Sequence, residues 1–185
     1  LSDEGNKLYL FWRGADFKPN FSVSQDNGVT WDRGKIMVLP ERVYRDRRPY
    51  IKVAGNNKDV IHFAFTDGHP HVEPTNSIYY IKYHQGALYK ANGQKIMNWS
   101  DLPINPTEAD VVYSAVESGE KAWIWDVAED KDGNPVVVYA TFPTDTTHMY
   151  YYAIFHEGKW NNYKLTDAGS WFPLTRDGER QREPN

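Results

Sequence analysis

Short apolar runs rich in aromatic and β-branched residues recur along the chain, and polar turns separate them. KLYLFWR at 7–13, NFSVSQ at 20–25, PYIKVA at 49–54, VIHFAFT at 60–66 and SIYYIKYH at 77–84 have strand length and strand composition. So do AWIWDVA at 122–128, PVVVYATF at 135–142 and HMYYYAIF at 148–155. Further strands are expected at 30–38, 87–91, 113–116 and 159–165. Asn, Asp and Gly close many of these runs, because they accept the left-handed dihedrals of tight turns. No run has the period and length of a long amphipathic helix. Residues 92–110 are Pro-rich and weakly patterned and read as an irregular connection. The charged stretch 175–185 reads as a flexible tail.

The runs repeat as a group. Segments 7–31, 59–89 and 135–160 each read strand, loop, strand, Gly turn, strand. The Gly turns are Asp26-Asn27-Gly28, His84-Gln85-Gly86 and His156-Glu157-Gly158, and Trp31, Tyr89 and Trp160 follow them. A leading strand, 49–54 or 123–128, precedes the second and third copies. A four-stranded antiparallel repeat is a propeller blade. The expected fold is therefore all-β, a partial β-propeller of three to four blades over 1–174, with units near 7–39, 47–97 and 122–166. So short an arc leaves open blade edges, which invite self-association. In such a meander alternate connections emerge on one side. The Gly turns fall on one face, and the longer loops at 13–19, 41–48, 67–76, 92–121 and 143–147 fall on the other. Arg13, Arg45, Arg47, Arg48, His69, His71 and His148 are thereby expected together on the loop face.

Composition narrows the function. Lys plus Arg is 21 against 25 Asp plus Glu, so the net charge of −4 gives no overall pull toward nucleic acid or an anionic membrane. Cysteine is absent, which excludes disulfides and thiolate chemistry. No apolar run approaches the ~20 residues a membrane helix needs. No signal peptide is present; the chain opens on Leu1 rather than Met, and reads as a piece of a longer protein or a processed chain, with a secreted or periplasmic location expected. The 7 Trp and 13 Tyr suit sheets first and carbohydrate-binding surfaces second.

On the loop face, arginines, histidines and tyrosines are the chemistry available. Arg47 and Arg48 precede an inner strand, and clustered guanidinium groups suit a carboxylate held by paired hydrogen bonds. The bland reading is a solvated charge run. His69 and His71 flank Pro70, which stiffens their loop, and an imidazole titrates near neutral pH. General acid–base work is the functional reading, with loop hydrogen bonding or a His-x-His metal site shared with His148 as alternatives. His148 opens a strand at the position that Asn76 holds one unit earlier. His62, His84 and His156 read as structural. Tyr80 is the candidate proton donor among tyrosines that otherwise pack, and Arg13 and Trp123 complete the expected sugar contacts. No organic cofactor is implied.

Two sets of residues carry a family resemblance. Ser24-Gln25-Asp26-Asn27-Gly28-Val29-Thr30-Trp31 matches S-x-D-x-G-x-T-W, the Asp box of BNR-repeat, sialidase-like β-propellers, a motif that marks a blade and not a catalytic centre. Arg48-Pro49-Tyr50-Ile51-Lys52, the stretch from His62 to Pro70, Asn76-Ser77-Ile78-Tyr79-Tyr80 and Trp171-Phe172-Pro173 resemble a bacterial, neuraminidase-like branch of that family. Its relatives include lyases that cut uronate-containing polysaccharides such as ulvan, and glycosidases acting on rhamnose–glucuronate linkages. The resemblance implies an enzyme on acidic polysaccharide, by β-elimination, with Arg48 or Arg47 on the uronate carboxylate, His69 as base and a tyrosine as acid. Glycoside hydrolysis and glycan binding without turnover are the alternatives. Arg48-Pro49-Tyr50 stands where sialidases carry Arg-Ile-Pro, which speaks against sialidase activity.

Overall fold

The computed structural model describes residues 1–41, 46–144 and 147–169. Among them, three antiparallel sheets hold the strands, and helix is confined to single turns. The first sheet runs β1 (Leu8–Arg13), β2 (Pro19–Ser24) and β3 (Lys35–Ile36). The second runs β4 (Ile51–Gly55), β5 (Val60–Thr66), β6 (Ile78–His84), β7 (Ala87–Tyr89) and β8 (Lys95–Asn98). β9 (Asp110–Tyr113) joins it by pairing with β6. The third runs β10 (Ala122–Glu129), β11 (Pro135–Thr144), β12 (Thr147–His156) and β13 (Lys159–Asp167).

The meander follows the expected order, with three differences. The stretch 30–38 pairs only over Lys35–Ile36. The Pro-rich connection holds β8 and the start of β9. β9 ends at Tyr113, and a single helical turn, α1 (Ala115–Ser118), follows it. The reason for β9 lies on the outer edge of β6. β7 covers only Lys82–His84, so Ile78–Tyr80 remain available, and β9 takes them. Two short strands thus share one edge.

The middle sheet is packed on both faces, and β5 shows how alternation achieves this. Ile61, Phe63 and Phe65 enter a core shared with the first sheet, beside Phe21, Met37, Ile81 and Leu88. Ala64 and its neighbour Tyr80 enter a second core shared with the third sheet, beside Ile124, Val127, Val137 and Tyr139. A strand buried on both faces reads as a continuous apolar run, and VIHFAFT does so.

The turn between β2 and β3 is held by its own side chains. Ser24 Oγ accepts from the Gly28 N–H at 2.8 Å, and Asp26 accepts from the Thr30 N–H at 2.8 Å and from the Thr30 hydroxyl. Gly28 sits at φ 91°, where a side chain would be strained. Three oxygen-directed bonds hold the Asp26 carboxyl down at about 2. Trp31 stays 42% exposed. The segment carrying Arg42 and Arg45, the Trp171-Phe172-Pro173 motif and the 175–185 tail lie outside the described residues.

Candidate functional site

A row of rings and guanidinium groups crosses the loop face, and all three sheets contribute. Arg13 ends β1 and lies with its guanidinium carbon 4.4 Å from the Tyr50 ring centre and 5.2 Å from that of Phe17. Its Nη1 donates to the Tyr50 hydroxyl at 3.1 Å. Tyr50 immediately precedes β4, and its ring meets His69 edge-on at 5.4 Å and Trp123 at 5.4 Å. His69 and Trp123 are 4.8 Å apart, so Tyr50, His69 and Trp123 form a mutual trio. Arg48 lies on Phe17, 4.2 Å from its centre. Beyond Trp123 the row continues through Trp125 and Tyr150 to the buried His148.

The loop that carries His69 is fixed at both ends. Asp67 Oδ2 accepts from the Ser77 N–H at 2.9 Å, and its Oδ1 accepts from Tyr79 at 3.1 Å. Asn76 is fully buried; its side chain accepts from the Gly68 N–H at 2.8 Å and donates to the Ala122 carbonyl at 2.7 Å. Its carbonyl accepts from the Ala122 N–H at 2.8 Å. One amide therefore ties the backbone next to His69 to the backbone next to Trp123. Thr66 Oγ1 accepts from the Tyr50 N–H and donates to the Gly68 carbonyl, which adds Tyr50 to the same frame. A Cβ on Gly68 would lie 2.7 Å from Glu73 Cγ, so the loop closes this tightly only with glycine there.

Arg47 belongs to this frame and not to the open face. Its Nε donates to Glu73 at 2.9 Å and its Nη1 to Asp67 at 3.4 Å. Both carboxyls are nonetheless pushed up, because burial outweighs the attraction of Arg47. The buried Lys18 ammonium also donates to the Arg47 carbonyl, joining the loop after β1 to the same crossing.

His69 is half-buried, and its imidazole is pulled below the usual histidine range, by burial first and then by His71 and Arg13. It is therefore neutral at pH 7. Its Nδ1 accepts from the His71 N–H at 3.0 Å. In a neutral imidazole one nitrogen accepts and the other carries the proton, so Nε2 carries it. This arrangement presents a hydrogen-bond donor where the sequence suggests a base: the lone pair is already engaged by the backbone.

Of the residues singled out from sequence, the fold brings Arg13, His69 and Trp123 into contact around Tyr50. His71 is exposed beside His69, with ring centres 6.2 Å apart. Arg48 and His148 stand at opposite ends of the row and do not converge on His69. Arg47 is turned to Asp67 and Glu73. Tyr80 is a correction: it is fully buried between the second and third sheets, its hydroxyl 2.6 Å from His62 Nδ1 and its ring against Trp160. A side chain there does not reach the loop face. Tyr50 is the residue that sequence reasoning passed over; its place directly after Arg47-Arg48-Pro49, at the loop end of an inner strand, was the available signal. The described residues contain no group of three His, Cys, Asp or Glu side chains that could hold a metal ion.

A family model described as "BNR repeat-containing family member" matches residues 1–168. The chain belongs to this BNR-repeat family. Two solved structures of a polysaccharide lyase of family PL25, an ulvan lyase, are similar to it. One, with -[GlcA(1-4)Rha3S]- bound, matches at 16% identity and TM-score 0.65, over 85% of this chain and 40% of the lyase. The other matches at 15% identity and TM-score 0.63 over the same shares. A fucose lectin from Kordia zhangzhouensis gives a TM-score of only 0.37. Comparison with curated proteins gave no match. The chain thus spans two-fifths of the length of the lyases it resembles. At these identities the likeness is one of fold: three successive blades of an all-β propeller.

Proposed function

We propose that this BNR-repeat protein is carbohydrate-active and cleaves acidic, uronate-containing polysaccharide by β-elimination. The observation that carries the reading is the meeting of Arg13, Tyr50, His69 and Trp123, from three blades, on one face. Arg13 has no acidic partner among the described residues and offers its guanidinium to a uronate carboxylate. The His69 Nε2–H adds a second donor to that carboxylate, and together they stabilise the charge that develops when the adjacent carbon loses its proton. Trp123 offers a flat apolar face to a sugar ring. Tyr50 moves the proton. In its deprotonated form it takes the hydrogen from C5 of the uronate. The C–H electron pair becomes the C4–C5 double bond, the C4–O bond breaks, and the leaving oxygen takes the proton back from Tyr50.

Hydrolysis is less well supported on the same face. It needs two carboxyl groups placed across the bond, and the two in the His69 loop, Asp67 and Glu73, both pair with Arg47. An extracellular or periplasmic location accords with a polysaccharide substrate. The test is incubation with a panel of uronate polymers, following the ultraviolet absorbance of an unsaturated product. Absorbance that rises with enzyme and disappears in Tyr50→Phe is expected. New reducing ends without absorbance would replace elimination by hydrolysis, and binding without either would leave a glycan-binding propeller.

A further inference from the structure

Phe17 sits on the loop face in a conformation that its side chain disfavours. Asp16 and Phe17 both have left-handed backbones, at φ 52° and 56°. Aspartate tolerates that region, whereas a bulky side chain there is strained. Burial offsets little of the strain, because Phe17 is 50% exposed. Hydrogen bonds hold the turn in place. The Gly14 and Phe17 N–H groups donate to the Lys18 and Gly14 carbonyls, and the buried Lys18 ammonium donates to the carbonyls of Asp16 and Arg47. A strained residue that its surroundings fix this firmly points to a function.

What the turn presents is one ring shared by two cations. The guanidinium carbon of Arg48 lies 4.2 Å from the Phe17 ring centre and that of Arg13 5.2 Å, and Arg13 Nε also donates to the Phe17 carbonyl at 3.4 Å. Both arginines are exposed, and neither forms an ion pair among the described residues. A guanidinium against a ring is attracted by the ring's negative face and keeps its N–H edges for oxyanions. Beside Arg48 a cleft of about 350 Å³ opens; Asp16 and Asp46 are among its lining residues, and neither pairs with Arg48. Two like charges gathered on one ring repel each other, and a bound oxyanion relieves that repulsion. We propose that Phe17 is a positioning residue, which holds Arg13 and Arg48 side by side as a two-pronged clamp for the acidic groups of one polysaccharide chain. Arg13, which also lies against Tyr50, takes the carboxylate of the reacting uronate. Arg48, on the far side of Arg13 from Tyr50 in the row, takes the next acidic group along the chain. This rests on the elimination reading above and adds to it the residue that sets where its arginines stand.

The experiment compares Phe17→Leu, Phe17→Tyr and Phe17→Asn in the 185-residue protein. In NMR spectra of the parent, the Arg13 Nε–H signal is expected to lie upfield, shielded by the Phe17 and Tyr50 rings. It is expected to keep that position with Tyr and to move toward the free-arginine value with Leu and Asn. On the uronate polymer that the parent turns over, kcat/KM is expected to fall about ten- to a hundredfold with Leu and Asn and to be retained with Tyr. Arg48→Gln is expected to raise KM in the parent and far less in the Phe17→Leu background, because the ring couples the pair. Asn tolerates the left-handed backbone, so its thermal midpoint is expected to equal or exceed the parent's while activity falls. A purely structural Phe17 would not separate the two readouts in this way. An Arg13 signal or a kcat/KM unmoved by Leu would overturn the proposal, as would an Asn variant that loses stability and activity together. A parent that turns over no uronate polymer would overturn the elimination reading instead, and the Arg13 signal would then decide the positioning role by itself.

Discussion

His62 and His69 lie in one strand and the loop that follows it, and each stands beside a tyrosine, yet their surroundings differ in kind. His62 is 2% exposed; its Nδ1 meets Tyr80 at 2.6 Å and its Nε2 meets Glu129 at 2.9 Å. Nδ1 is committed within the second sheet and Nε2 to Glu129 of the third, so neither nitrogen is left over. His69 meets Tyr50 edge-on through its ring alone, with no hydrogen bond between them, which leaves the Tyr50 hydroxyl to Arg13. The same two residue types thus make a buried seam in one place and part of the loop face in the other. What separates them is where their polar atoms are spent, and burial alone does not reveal that.

The comparison breaks most sharply at the tyrosines. Tyr50→Phe is expected to lower turnover on a uronate polymer by about 10²–10⁴-fold, the usual range for a lost proton-transfer group, with thermal stability nearly unchanged. Loss of stability without loss of turnover would make Tyr50 the structural partner. Tyr80→Phe is expected to do the reverse. It leaves the buried His62 Nδ1 without its partner and costs about 1–3 kcal/mol in denaturant unfolding, with turnover retained. A Tyr80→Phe protein as stable as the parent would remove the seam reading.

Asn76→Asp tests the frame between the two regions. It keeps the acceptor for the Gly68 N–H but loses the donor to the Ala122 carbonyl. Ring-current shifts between His69 and Trp123 in NMR spectra are expected to weaken, and the His69 midpoint to move up toward the ordinary histidine value. Unchanged shifts would mean that Asn76 does not set their spacing.

Acid should act on the seam by a defined route. The folded state holds both histidines below the unfolded value of 6.5, mainly through burial. The unfolded chain therefore binds more protons just below that pH. Stability from these groups is complete above pH 6.5 and is lost progressively as pH falls from there toward the folded values. A denaturation midpoint that is flat or rising from pH 7 to 5 would contradict this. The smallest effect belongs to the β2–β3 turn. Asp26 should titrate at about 2, so its contribution is present above the unfolded value of 3.8 and is lost as pH falls through about 2. A carboxyl midpoint near 4 by NMR would show that the Thr30 and Ser24 bonds do not persist in solution.

The blades were legible in the sequence because strand and turn chemistry are local. Alternating apolar residues name a strand, Asp-Asn-Gly names its turn, and three repetitions name the meander. That meander puts Arg13, Arg48 and His69 on one expected face, and in the structure a run of ring contacts links them through Phe17 and Tyr50. The site was less legible because its contacts are not local. Arg47 and Arg48 are neighbours of identical type; only Asp67 and Glu73, from a later loop, distinguish them by pairing with Arg47, and Arg48 has no ion pair among the described residues. Tyr79 and Tyr80 alternate across β6, and which core each of them meets depends on the sheet that packs there. Tyr50 becomes a candidate only when Arg13 and Trp123 arrive from other blades.

The buried amide of Asn76 has a consequence for how the second and third blades respond to strain. Because it bonds the His69 loop and the first residue of the third blade at once, imidazole and indole are held in contact as one unit. A shift of either blade at this point is passed to the other through a single side chain.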